Sequence, residues 1–125
     1  MREILFRGKP KNLKDYKWVH GQLLYHQDNI SKIYSGEIDY PIGVIPETVG
    51  QFTGMTDKNG KKIFEGDICK GAWSTIFQVV YDDCYLGFRA IAKSGLSVSI
   101  DYFGLDRIEV IGNIYDNPEL LEVGK

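Results

Sequence analysis

Several residues in this chain have side chains that could do chemistry. Glu65 and Asp67 stand two apart in Phe64-Glu65-Gly66-Asp67-Ile68, and paired carboxylates are what hydrolases use as general acid and base. The glycine between them argues for another role. Glu-Gly-Asp between two β-favouring runs is turn chemistry, with Asp67 suited to accept backbone amides. Asp82-Asp83 offers oxygen donors of the kind a divalent cation takes, but adjacent strand residues face opposite ways, so the pair reads as a solvated hairpin tip. His20 and His26 are the two histidines, and neither a third imidazole nor a motif-spaced cysteine completes a metal set. Cys69 and Cys84 form no CxxC pair and read as two reduced thiols. Cys84 has no identifiable histidine partner, and no serine lies in a nucleophile elbow. Gly50, Gly54 and Gly60 lack both P-loop spacing and a following helix. No catalytic residue, metal or cofactor is expected.

Positive charge is the feature that rises above this background. Between Arg2 and Lys17 stand Arg2, Arg7, Lys9, Lys11, Lys14 and Lys17 against Glu3 and Asp15, with Tyr16 and Trp18 adjoining. Basic loops interleaved with aromatics grip single-stranded nucleic acid through phosphate contacts and base stacking. Arg7, Lys9, Lys11, Lys14, Lys17 and Trp18 are therefore the candidate nucleic-acid-binding residues, and Lys58, Lys61 and Lys62 would extend their surface. The competing reading is a solvated loop with Trp18, beside Val19, in the core. The net charge of −2 over 125 residues lends no overall support to a polyanion or membrane partner.

The elements that must position these residues read as β. Fourteen Gly, eight Tyr and six Phe suit turns and pleated surfaces. Arg2 to Arg7 alternates as a short strand, with Ile4 and Phe6 on one side. Lys9 to Lys17 reads as a loop. Lys17 to Tyr25 reads as a hairpin turning at His20-Gly21, and Ile30 to Tyr34 as a strand after an Asp28-Asn29 turn. Pro41 and Pro46 make Gly36 to Glu47 mostly extended loop. Thr48 to Met55 and Lys61 to Phe64 form a hairpin about Asp57-Lys58-Asn59-Gly60. Asp57, Asn59 and Gly60 specify that turn, and Glu65, Gly66 and Asp67 the next one, before Ile68 to Gly71. Strands follow at Ile76 to Tyr81, Leu86 to Ala92, Leu96 to Tyr102 and Ile108 to Tyr115. Leu96, Val98, Ile100 and Tyr102 share one face, and Gly112 suggests a bulge. Asn117-Pro118-Glu119 is a helix start, with Asn117 as cap.

Three blocks carry a resemblance to a known family. They are REILFRGK at Arg2 to Lys9 with Trp18-Val19-His20-Gly21, VIPETVGQFTGMTDKNGKKIFEGDI at Val44 to Ile68, and EVIGNIYDNPELL at Glu109 to Leu121. The chain resembles the YopX protein family of phages and prophages of Gram-positive bacteria, over its whole length. Phe52 and Phe64 stand where tyrosine is usual, Met55 for leucine and Cys69 for valine. The stretch from Gly71 to Phe103 matches only as a strand pattern. The resemblance implies a mainly β fold with a small, partly open SH3-like barrel, and it attaches no activity to any residue.

The expectation is one domain: an N-terminal extension of strands or hairpin over about 1–47, a barrel-like part over about 48–125, and a short C-terminal helical turn. Function is expected to be that of a non-enzymatic phage accessory protein, cytoplasmic, that binds a host or phage macromolecule and forms a homo-oligomer. The alternative is a nucleic-acid binder using the basic N-terminal loop. No apolar run reaches the ~18 residues of a membrane span.

Overall fold

A computed structural model describes residues 3–11, 18–27, 30–37, 39–104 and 106–122. The described chain is mainly β, with eleven strands, four short 3₁₀ turns and no α-helix among those residues. It divides into two compact units, Met1–Phe52 and Thr53–Lys125, with the division falling inside β5 (Gly50–Thr56).

In the first unit β1 (Phe6–Gly8), β2 (Val19–Gln27), β3 (Ile30–Tyr34) and β4 (Ile42–Val44) form an antiparallel meander, and the start of β5 pairs with β1 at Gly50 and Gln51. Val19, Ile33, Ile42 and Val44 form its core, with Phe6, Leu23 and Val49 packed against them. The segment after β1 runs along the free edge of β4. Lys11 N donates to Gly43 O (3.1 Å), Ile45 N donates to Lys9 O (2.8 Å), and Pro10 bridges Val44. That pairing closes the meander on itself and removes an exposed edge.

Three expectations for this unit are corrected. Ile4 is exposed and the first strand begins only at Phe6. His20-Gly21 is not a turn: β2 runs through it, with His20 opposite Arg7 and Gly21 opposite Phe6. The glycine is there for close approach, since a Cβ at Gly21 would lie 2.1 Å from the Tyr34 carbonyl oxygen. Gly36 to Glu47 contains a strand, β4, and a 3₁₀ turn at Pro46–Thr48 follows it. Both prolines flank β4 rather than interrupt it. The Asp28-Asn29 turn lies outside the described residues.

In the second unit the rest of β5 runs into β6 (Lys62–Phe64) around Asp57 to Gly60. Asp57 N donates to Lys61 O (2.8 Å) and Gly60 N to Asp57 O (3.0 Å), with Gly60 at φ 82. The expected hairpin is present. A five-stranded antiparallel sheet follows, built from β7 (Asp67–Lys70), β8 (Ile76–Asp82), β9 (Gly87–Ala92), β10 (Ser97–Ser99) and β11 (Glu109–Asn113), in the order β10-β9-β8-β7-β11. Its core holds Ile63, Phe77, Val79, Ile100, Phe103 and Ile108, with the Phe77 and Phe103 rings stacked at 4.8 Å.

The clean alternation from Leu96 to Tyr102 does not persist as a strand. After Ser99 the chain turns into a 3₁₀ segment, Ile100–Phe103. Residues three apart then share a side, so Ile100 and Phe103 are buried while Leu96 and Tyr102 are exposed. The bulge expected at Gly112 is present as a register shift between Val110 and Gly112. At the C-terminal end Pro118–Leu121 is a single 3₁₀ turn. Asn117 does not cap it with its side chain; its Oδ1 instead accepts from Asn113 N at 3.2 Å.

Candidate interaction surface

The basic cluster forms on β1 and the residues that flank β2. Arg7 is 6% exposed, and its guanidinium lies 4.6 Å from the centre of the Trp18 ring, with the Lys9 ammonium 5.7 Å from it. Cations over an indole are attracted by its ring quadrupole. A base stacks on an aromatic only where a face is open, and here a buried arginine lies over that indole. Lys9 is held by its backbone, its N donating to Thr48 Oγ1 at 2.9 Å. Lys11 is exposed. Arg7, Lys9 and Trp18 are thus brought together, with Lys11 close behind in the chain, while Lys14 and Lys17 lie outside the described residues.

The turn carboxylates act on the backbone. Asp67 is buried, and its Oδ2 accepts from Phe64 N at 2.8 Å across the Glu65-Gly66 turn. Gly66 N donates to Val79 O, and Gly66 O accepts from Ile114 N. A cleft of about 100 Å³ is lined by Glu65, Gly66, Gln78, Val79, Val80, Tyr81, Ile114 and Tyr115. Glu65 is its one carboxylate among the described lining residues, and Asp67 is turned instead to the Phe64 amide.

Asp57 does more than its turn requires. Oδ1 accepts from Asn59 N and Lys61 N, both at 2.9 Å, and Oδ2 accepts from Val110 N at 3.0 Å. Lys58 N donates to Ile108 O as well, so the hairpin tip is tied to β11. Burial alone raises the Asp57 carboxyl. The amides of Val110, Lys61 and Asn59, helped by the Lys61 charge, outweigh burial and hold it below the usual range.

One close pair escaped the sequence reading. His26 Nδ1 lies 2.6 Å from Ser31 Oγ across the β2–β3 hairpin. A serine–histidine contact can generate a nucleophile, but Ser31 is 1% exposed, so no acyl group reaches its hydroxyl. Only cross-strand register, which a single sequence does not display, would have paired them.

The larger omission is apolar. On β3, Ser31 and Ile33 point into the core, which leaves Ile30, Lys32 and Tyr34 on the wet face. Tyr25 stands opposite Lys32, and Leu24 occupies a register shift on β2. Leu24, Tyr25, Ile30, Lys32 and Pro41 line a groove of about 330 Å³, and Leu24, Tyr25 and Ile30 each stay roughly half exposed. The signal was present in the Ile-Ser-Lys-Ile-Tyr pattern, where both phases hold large apolar residues.

A second exposed feature lies at the β8–β9 tip, Asp82 to Leu86. Asp82 Oδ1 accepts from Cys84 N at 2.8 Å and shapes the turn. Leu86 is 79% exposed at φ 51, and Trp73, between β7 and β8, is 77% exposed at φ 60. These are the two most exposed large hydrophobics among the described residues, and both occupy left-handed backbone that disfavours a Cβ. Cys84 is exposed and Cys69 buried, and no disulfide joins them.

The fold is that of a mainly β protein with an exposed apolar groove on its first unit and an exposed apolar tip on its second. The family model for the YopX protein matches residues 5–122, and the chain belongs to that family. It is similar to the crystal structure of protein EF1440 from Enterococcus faecalis, with 23% identity and a TM-score of 0.62. The match covers 98% of this chain and 100% of that one, and at this identity it speaks for the fold. No curated protein matches the chain.

Proposed function

We propose that this protein is a non-enzymatic phage or prophage accessory protein that works in the host cytoplasm as a self-associating, macromolecule-binding module. The carrying observation is the groove of Leu24, Tyr25, Ile30 and Pro41 on the wet face of the β2–β3 hairpin. Apolar side chains concentrated on a solvent face are typical of interaction sites. The SH3-like reading of the second unit is supported by its strand order, β10-β9-β8-β7-β11, with a 3₁₀ turn before the last strand.

Light scattering of the purified protein tests the proposal. The expected mass is a multiple of the 14.2 kDa chain, and Ile30→Glu is expected to shift it at least tenfold in concentration toward the monomer. A wild-type monomer throughout the micromolar range would refute self-association.

The second reading, nucleic-acid binding, is supported by the gathering of Arg7, Lys9 and Trp18, with exposed Lys11 on the adjoining segment. It predicts a complex with single-stranded DNA or RNA that weakens steeply as salt rises. Lys11→Glu should weaken it several-fold, and absence of any band shift at low salt would exclude it.

A further inference from the structure

The groove and the β8–β9 tip have complementary chemistry. The groove of about 330 Å³ lies at the small end of the ~300–1,000 Å³ range of ligand pockets, suited to one or two side chains rather than to a large ligand. Its walls are apolar, and Lys32 is the charged residue among its described lining. The tip presents Tyr85 and Leu86, both well exposed, preceded by the carboxylates of Asp82 and Asp83. Arg89 packs its guanidinium 4.0 Å from the Tyr85 ring centre and donates from Nη2 to Ser97 O at 3.2 Å, so the ring is held from behind rather than left to swing.

Leu86 adds a further argument. A leucine at φ 51 sits where glycine would be more stable. Strain of this kind persists where the surroundings hold it, and it clusters at clamps and binding sites. Trp73 is comparably strained, but the adjoining Ala72, Ser74 and Thr75 carry no charge that would select a partner.

We propose that self-association is head-to-tail: the Tyr85-Leu86 tip of one copy seats in the Leu24–Tyr25–Ile30–Pro41 groove of the next, with Asp83 meeting Lys32. The inference rests on the self-associating reading above and gives it a geometry. The surfaces that meet are different ones, so the contact is heterologous. Repeated, it closes a ring or runs on as an open chain, according to the rotation between successive copies.

A mixing experiment tests it. Leu86→Gly removes the apolar tip while suiting the backbone, and Ile30→Glu spoils the groove. Each variant alone is expected to be monomeric by light scattering in the range where the wild type associates. Mixed in equal amounts they are expected to form a dimer and nothing larger, because one still has a groove and the other a tip. Should either variant fail to show native circular dichroism, Lys32→Glu and Asp83→Lys replace them, each weakening association at least tenfold and the double variant restoring it. Wild-type association that survives Leu86→Gly, or two monomeric variants that do not combine, would overturn the head-to-tail contact and leave self-association standing. A monomeric wild type would overturn both.

Discussion

Asp57→Ala is expected to lower stability by about 3 kcal/mol at neutral pH. Hydrogen bonds to a charged group contribute roughly 1.5–3 kcal/mol each and do not add fully. Asp57 accepts three, from Asn59, Lys61 and Val110. Two of these shape its own turn, and the third ties that turn to β11. Asp57→Asn keeps an acceptor for the turn but points an amide NH₂ at a backbone N–H, so an intermediate loss is expected.

The dependence on pH follows from the lowered carboxyl. A folded-state value below the unfolded one stabilises the fold above the ordinary carboxylate range, near 3.8. That contribution disappears as pH falls through the lower, folded value. Urea unfolding at pH 7 and again below about pH 4 checks both points. The wild-type advantage over Asp57→Ala should shrink on acidification, and an advantage unchanged between the two would show that the carboxylate charge contributes nothing.

Gly21→Ala is expected to cost about 3 kcal/mol or to prevent the first unit from folding. Overpacking costs typically ~1–3 kcal/mol and occasionally more. The added methyl would lie 2.1 Å from Tyr34 O and 2.8 Å from its carbonyl carbon. These are backbone atoms of a paired strand, not the end of a flexible side chain, because Tyr34 stands opposite Gln22 in the β2–β3 ladder. Gly43→Ala, on β4 of the same unit, meets nothing within 4 Å and should change stability by less than ~0.5 kcal/mol. Amide exchange across β2 and β3 separates the two cases. Unchanged protection in Gly21→Ala would refute the close approach.

The outline of the second unit was legible because its signals are local. Asn59-Gly60, Glu65-Gly66-Asp67 and Lys93-Ser94-Gly95 punctuate runs of β-branched and aromatic residues, and the strands fall between them. The misreadings share a different cause. His20-Gly21 resembles a turn in isolation, since a glycine required by a neighbouring carbonyl looks the same as one required by a bend. Leu96 to Tyr102 alternates as a strand does, yet the pull of Ile100 and Phe103 into one core winds its second half into a 3₁₀ turn. The basic cluster was legible as composition, but that Arg7 is buried over Trp18 was not.

Asp57 shows where the division lies. Its sequence neighbours determined the turn, because an aspartate two residues before Asn59 and three before Gly60 can accept its own chain's amides whatever the rest of the protein does. Only the tertiary structure brought Val110, 53 residues away, within 3.0 Å of its other oxygen. The same holds for the candidate surface. The sequence contains Ile30, Tyr25, Asp83 and Leu86, but a strand's register decides which face each side chain takes, and one residue of slip would invert it. Within the β2–β3 hairpin the turn sets the register, but which face turns inward is decided by the packing of Val19 and Ile33 against Phe6, Ile42 and Val44 from other strands, so the groove exists only once the chain has folded.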